Sequence, residues 1–359
     1  MLVVACISSH GFGHGARVAA LLRALARRRT DCRFVLSTAL PAKFLNQIFA
    51  GLDYELRPCQ WDVGVVQQDA LGCDPRRTLD ALEELERRLP QQLVRETNWL
   101  EHWRQPGEPS LILGDVPPAA ACLASLLGWP LIWQANFGWD DIYGAIGGPL
   151  EDWAHQSLGL YRQGLALIRC PFSLPMPWGL EECRVGLTAS EPRSDLKKLS
   201  GGIDLNWSRS RRALVTFGGF KLPISPSILE CWPDWQFFVV NESLARAANA
   251  VLLPEDFRPV DVMPLCSVVI TKPGYSTFAE ALSQNCSLIV VERHGFAEAD
   301  VLQKGLQQHG FHRLLSRLAF EQGQWQLEQP LSAPLGQPLP TDGADAASQF
   351  VLAALSQSR

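Results

Sequence analysis

Charge is scarce in this chain: only 19% of its 359 residues are charged, while 47% are hydrophobic. The usual charged share is about 25%, so this composition excludes a disordered chain and supports a large buried interior. No sign dominates either. Lys and Arg number 32 against 37 Asp and Glu, a net charge of −5. That balance supplies no basic field for DNA or RNA, and no nucleic-acid partner is expected. Long apolar runs are also missing. The stretch Leu2–Ile7 near the start falls far short of the roughly 20 residues of a spanning helix, so no transmembrane segment is expected, and peripheral contact with a membrane stays open. No positively charged n-region or small-residue cleavage site is visible, and the expected location is the cytosol. Ten cysteines run from Cys6 to Cys286 without one C-x-x-C pair. This fits neither a zinc ribbon nor a disulfide framework, and most are expected to be small core residues. No H-E-x-x-H or D-x-D occurs, so no metal is required, and no G-x-x-x-x-G-K-[ST] phosphate loop is present.

What is there is alternation. At about 150 residues per domain the length predicts two domains. Strand-like runs at Leu2–Ser8, Arg33–Ser37, Ser110–Gly114 and Pro130–Gln134 alternate with helical periodicity at Ala16–Arg29 and Thr78–Trp103, the pattern of a parallel sheet covered on both faces. The composition turns polar between Leu187 and Arg212. Strands then resume at Ala213–Phe217, Gln236–Val240, Ser267–Thr271 and Ser287–Val291, with helices at Ser225–Cys231, Tyr275–Ser283 and Ala297–Gln308. The expected class is α/β, with two Rossmann-like, doubly wound parallel-sheet domains facing across a cleft. The expected boundaries are 1–186 for the first domain, 187–212 for a linker, 213–342 for the second domain, and 343–359 for a last helix returning to the first.

The segment Ser8-Ser9-His10-Gly11-Phe12-Gly13-His14-Gly15 joins the first strand to the first helix. Gly11 and Gly13 let the backbone approach a ligand, and a helix start favours an anion such as a diphosphate. The spacing is G-x-G-x-G, and Ser37-Thr38 stands where a ribose-binding acid would be. A dinucleotide cofactor is therefore disfavoured, and no cofactor is expected. His14 is the candidate general base, because a histidine titrating near neutrality can take a proton from a hydroxyl. His10 either caps the turn or lines the acceptor side. Arg17 is a phosphate partner or a solvated helix residue.

In the second domain Lys272-Pro273-Gly274-Tyr275-Ser276-Thr277 again joins strand to helix, and Phe217-Gly218-Gly219-Phe220-Lys221 closes another strand. Lys272, Gly274, Ser276, Thr277, Gly218 and Gly219 are candidates for cradling phosphate. Glu280 is a candidate for a ribose diol, since a carboxylate accepts two hydrogen bonds. On the acceptor side, Asp115 reaches the cleft or caps a helix, and Asn136 and Trp139, with Asp140 and Tyr143, mix aromatic faces with polar groups as sugar sites do. Glu298 is preferred to His294 as the group against the donor sugar.

Five motifs carry a resemblance. They are Gly11-Phe12-Gly13-His14 with Arg17; Asp62-Val63-Gly64-Val65-Val66-Gln67 with Asp69 and Asp74; Asp115-Val116-Pro117-Pro118-Ala119; Asn136-Phe137-Gly138-Trp139-Asp140 with Tyr143; and Lys272-Pro273-Gly274-Tyr275-Ser276-Thr277 with Glu280. In this order, over residues 3 to 310, the chain resembles the GT-B glycosyltransferases. It is similar to the transferase that adds N-acetylglucosamine to the peptidoglycan lipid precursor, and more so to the transferase-type amino-terminal region of L-arabinokinases. The resemblance implies an inverting, metal-independent transfer from a nucleotide sugar to an acceptor hydroxyl. It puts Glu280 at the ribose, Gly274, Ser276 and Thr277 near the diphosphate, and His14 facing the acceptor. It does not extend to the galactokinase-like domain, so no sugar-kinase activity is implied. Gly15-Ala16-Arg17 replaces the proline-bearing turn of the peptidoglycan enzyme, which leaves the acceptor unspecified. A nucleotide-sugar epimerase or hydrolase and a non-catalytic nucleotide-sugar-binding regulator are the alternatives on one scaffold.

Overall fold

A computed structural model describes residues 1–66, 73–193, 207–218, 224–293 and 296–357. Gly219, Phe220, Lys221, His294, Gln67 and Asp69 lie outside the described residues. The first sheet has strands β1 (Leu2–Ile7), β2 (Arg33–Ser37), β3 (Tyr54–Arg57), β4 (Ser110–Asp115), β5 (Leu131–Ala135), β6 (Ala166–Arg169) and β7 (Glu181–Arg184). Its spatial order is β3-β2-β1-β4-β5-β6-β7, all parallel. The second sheet has β8 (Arg212–Val215), β9 (Gln236–Val239), β10 (Ala250–Leu252), β11 (Val268–Thr271), β12 (Ser287–Val291) and β13 (His312–Leu315). Its order is β10-β9-β8-β11-β12-β13, again all parallel. Both are doubly wound sheets whose order reverses once.

The helices among the described residues are α1 (Phe12–Arg28), α2 (Ala42–Ile48), α3 (Pro75–Trp103), α4 (Ala120–Leu127), α5 (Trp139–Ile146), α6 (Glu151–Tyr161), α7 (Ser227–Glu230), α8 (Pro259–Val262), α9 (Tyr275–Ser283), α10 (Ala297–His309), α11 (Arg317–Glu321) and α12 (Gly343–Gln357). Central strands are buried along their whole length because helices cover both faces, which is why Leu2-Val3-Val4-Ala5-Cys6-Ile7 carries no polar alternation. Val4 and Cys6 face one core and Val3 and Ala5 another.

Two chain crossings join the halves. Leu187 N–H donates to the Pro340 carbonyl and Gly343 N–H to the Leu187 carbonyl, so the outgoing and returning segments lie side by side. α12 packs Ala347 and Val351 into the α1 core, and Arg28 at the end of α1 donates to the Ser348 hydroxyl at 2.8 Å. The cysteines divide differently from expectation. All ten are unpaired, but only Cys6, Cys59, Cys170, Cys266 and Cys286 are buried, and Cys231 is exposed.

Candidate functional site

In each sheet the order reverses beside the first strand, and ligands of doubly wound sheets bind at that point, beyond the carboxyl ends of the strands. In the first sheet β1 and β4 pair in register down to Ile7 opposite Asp115. The loop that leaves β1 for His14 therefore starts level with Asp115. In the second sheet β8 and β11 pair Val215 with Ile270, which sets Gly218 and Lys272 side by side. The two edges meet: Ser276 Oγ donates to the Gly13 carbonyl at 2.7 Å. A Cβ on Gly13 would stand 2.8 Å from that hydroxyl oxygen, so a side chain here would displace the Ser276 hydroxyl.

His14, in the first turn of α1, places Nδ1 2.7 Å from Asp115 Oδ1. Arg17, one turn on, donates from Nε to Asp115 Oδ2 at 2.6 Å, from one terminal nitrogen to Oδ1 at 2.8 Å, and from the other to Asn136 Oδ1. Arg17 is 2% exposed and Asp115 0%. Arg17 is thus neither a phosphate partner at the surface nor a solvated residue; it is a buried strut that ties α1 to β4 and β5. Burial pushes the Asp115 carboxyl up, but the Arg17 charge and the His14 hydrogen bond outweigh it and hold the group below the usual carboxylate range. An ionised carboxylate only accepts. The proton of the 2.7 Å contact therefore sits on Nδ1, with an Arg17 terminal nitrogen 3.2 Å from the same atom, and Nε2 is the ring nitrogen turned away from Asp115.

The backbone at this point is strained. Val116, buried and β-branched, has φ 78°, a conformation such residues rarely adopt and one that clusters at functional sites. It is held by Tyr161, whose hydroxyl donates to the Val116 carbonyl at 2.6 Å. Asp115 does not serve as a helix cap: α4 begins at Ala120, after Pro117 and Pro118.

On the opposite wall, burial and the neighbouring Arg293 pull the Lys272 ammonium down to about 8. Arg293 is buried and stacks on Phe296 at 4.0 Å. Gly218 has φ 66°, and a Cβ there would come within 3.9 Å of Lys272 Cε. Gly274 is the N-cap of α9 without a side-chain cap, and a Cβ on it would meet open space. Glycine turns, the free start of a helix, the half-buried Lys272 and the buried Arg293 form a pole for an anion. The strand-to-helix motif singled out Lys272 but not Arg293, whose only signal is a basic residue just beyond the carboxyl end of β12.

Asn136 and Glu298, assigned from sequence to opposite substrates, are bonded to each other: Asn136 Nδ2 donates to Glu298 Oε1 at 2.8 Å. A polar chain thus runs from Asp115 through Arg17 and Asn136 to Glu298. Glu280 lies four residues after Ser276, hence on the same face of α9, the face turned to α1. Its carboxyl reaches Ser190, whose hydroxyl donates to the Ala16 carbonyl at 3.3 Å, and burial raises it to about 7. Thr277 is half-buried in the first turn of α9.

Trp139 and His10 form the floor. Trp139 is fully buried, donates from Nε1 to Asp62 Oδ2 at 2.8 Å and meets His10 edge-on at 5.2 Å. His10 Nδ1 accepts the Val65 N–H at 3.4 Å. Burial, then the charges of His14, Arg293 and Lys272, lower His10 to about 3, so it stays neutral. Asp74, part of the second motif, caps α3 by accepting from Arg77 N–H at 3.0 Å. Among the described residues no group of three or more His, Cys, Asp or Glu is placed to hold a metal ion. No helix of these residues is long and apolar enough to cross a membrane.

Two doubly wound parallel sheets meeting at their carboxyl edges, with glycine turns at both reversal points, have the GT-B architecture, and solved structures of UDP-glycosyltransferases share it. A UDP-glucosyltransferase from Polygonum tinctorium capable of glucosylating indoxyl superposes with TM-score 0.62 at 14% identity, over 100% of this chain and 99% of that one. UGT2 of Phytolacca americana, solved with UDP-2fluoro-glucose and pterostilbene, gives 0.61 at 14%, over 99% and 94%. UGT89C1 of Arabidopsis thaliana, solved with quercetin, gives 0.61 at 12%, over 100% and 90%. In sequence, the chain is similar to the L-arabinokinase of Arabidopsis thaliana, 27% identical over 332 residues. That match takes in 89% of this chain but 31% of the relative, so the chain spans under a third of its length. No protein-family profile matches.

Proposed function

We propose that the protein is a glycosyltransferase that moves a sugar from a nucleotide-sugar donor to an acceptor hydroxyl, with inversion and without a metal ion. One observation carries the reading: a histidine bonded to a buried carboxylate at one sheet's reversal point and a cationic pair, Lys272 and Arg293, at the other's both lie near His10, on two edges that touch at Ser276 and Gly13. The acceptor O–H gives its proton to His14 Nε2 as its oxygen attacks the anomeric carbon from the face opposite the diphosphate. The bond from that carbon to the diphosphate oxygen breaks, and the electron pair leaves with the diphosphate. Lys272, Arg293 and the N–H groups beside Gly218 and at the start of α9 meet that charge. Asp115 stabilises the imidazolium, as a carboxylate does behind a catalytic histidine. Glu280 accepts the ribose hydroxyls and Glu298 holds the donor sugar. His10, Asn136 and Trp139 support the acceptor side. The structural neighbours were solved with UDP-2fluoro-glucose and UDP-L-rhamnose, so UDP sugars are the first donors to try.

The test is a panel of UDP sugars, read by thermal shift for binding and by UDP release with and without pooled acceptor alcohols. One donor raises the melting temperature, and its release of UDP depends on the acceptor and continues in EDTA. Release without acceptor would replace the reading by hydrolysis, and conversion of the donor without acceptor or release would replace it by epimerisation. Binding with no release under any acceptor would leave a binding protein, and loss of release in EDTA would restore a metal.

Donor affinity should peak between about pH 7 and pH 8. Glu280, raised to about 7, carries the charge that strengthens its bonds from the ribose hydroxyls above that pH. Lys272, lowered to about 8, carries its charge only below it. Titration calorimetry across pH should show the acid limb removed by Glu280→Gln and the alkaline limb by Lys272→Arg. A flat profile in the unmodified protein would remove both assignments.

A further inference from the structure

A cavity of about 590 Å³ opens on the carboxyl edge of the first sheet, over the ends of β2 and β3. This is the size of small-ligand pockets. On one side α3 presents Arg88, Gln91, Gln92 and Arg95. Their spacing of i, i+3, i+4 and i+7 makes a single stripe along the helix. On the other side stand Thr38, Gln60 and Leu40. No carboxylate is among the described lining residues.

The stripe is assembled and cationic. Gln92 Nε2 donates to the Gln60 carbonyl at 3.1 Å, and Arg88 donates to Gln60 Oε1 at 3.4 Å. The acids behind it are over-subscribed. Glu96 is gripped by both Arg57 and Arg95, and Glu84 by both Arg87 and Arg88. Each carboxylate shared by two guanidiniums leaves an excess of positive charge at the rim. Paired arginines with side-chain amides suit a phosphate or carboxylate carried on a hydroxylated body.

The cavity also adjoins the reaction site. β2 lies next to β1, and neighbouring strands are about 4.8 Å apart, so the cavity begins within about 10 Å of the strand that leads to His14. Leu40 lines it and packs against α1 at Gly15, the residue after His14.

We propose that this cavity receives the anionic end of the acceptor, a phosphate or carboxylate, while its reacting hydroxyl lies at His14. The proposal rests on the glycosyltransferase reading and narrows its acceptor to acidic or phosphorylated polyols. The full chain is titrated calorimetrically with glucose 6-phosphate, with glucuronate and with uncharged glucose, alongside UDP. Both charged probes, or one of them, should bind more tightly than glucose, and which one does separates a phosphate from a carboxylate. The double variant Arg88→Gln/Arg95→Gln should weaken the charged probe by about 10- to 100-fold, the loss of one or two charge-assisted hydrogen bonds, with UDP affinity and melting temperature unchanged. Arg76→Gln, on the outer side of α3, should change nothing. The proposal is overturned if neither charged probe outbinds glucose, if the double variant binds them as well as the unmodified protein, or if Arg76→Gln weakens them equally. Failure of UDP to bind while the charged probe does would instead overturn the glycosyltransferase reading and leave an anion site.

Discussion

Replacing His14 with alanine is expected to lower turnover by about 10²- to 10⁴-fold, the usual contribution of a positioned general base, and to leave donor affinity unchanged. The separation follows from where the groups stand. His14 belongs to the wall built from β1, α1 and β4, and it touches Asp115 and Phe137. The groups proposed to hold the donor, Lys272, Gly274 and Glu280, come from β11 and α9 on the other wall. Single-turnover rates and donor titration on the same preparation check both halves. A variant with normal turnover would remove His14 from the chemistry, and one that lost donor binding would show that the imidazole supports the groove rather than the reaction.

Asp115→Asn is expected to cost stability as well as activity. Asp115 is the only carboxylate bonded to Arg17 among the described contacts, and the guanidinium is buried. Removing the negative partner leaves an uncompensated charge in the interior, a change worth about 3–5 kcal/mol. Denaturant unfolding measures it, and a loss below about 1 kcal/mol, the range of solvent-exposed pairs, would mean that Arg17 reaches water. The double variant Arg17→Met/Asp115→Asn should recover much of the loss, since replacing both partners of a buried pair removes the stranded charge. Turnover should fall in both variants. An amide at position 115 can donate to Nδ1, which moves the ring proton to Nε2 and blanks the base.

The fold was legible at every central strand but β6, whose run Ala166–Arg169 is buried but only four residues long. β1, β2, β4, β5, β8, β9, β11 and β12 read as apolar runs because helices bury both their faces. The edge strands did not. β7 is Glu181-Glu182-Cys183-Arg184 with three of four residues exposed, and β10 is three residues long. Neither length nor pattern marks such segments, because the neighbouring strand holds them by backbone bonds to which side chains contribute little. Of the site, the glycine turns and His14 could be read from local rules, since a strand, a turn and a helix start are contiguous in sequence. The roles of Arg17, Trp139 and the Asn136–Glu298 pair could not. A mid-helix arginine in a sequence says nothing of an aspartate 98 residues away, and Trp139 is a floor rather than a face because Asp62 and His10 lie against it.

By itself, then, the sequence determined two doubly wound units and where the glycine turns at their strand ends lie, because strand burial, helix period and glycine turns are properties of neighbours along the chain. Only the tertiary structure decided which charges meet, which histidine nitrogen lies against a carboxylate, and that a cationic stripe on α3 overhangs the ends of β2 and β3. Those are set by strand order and register, which bring together residues that no local pattern connects.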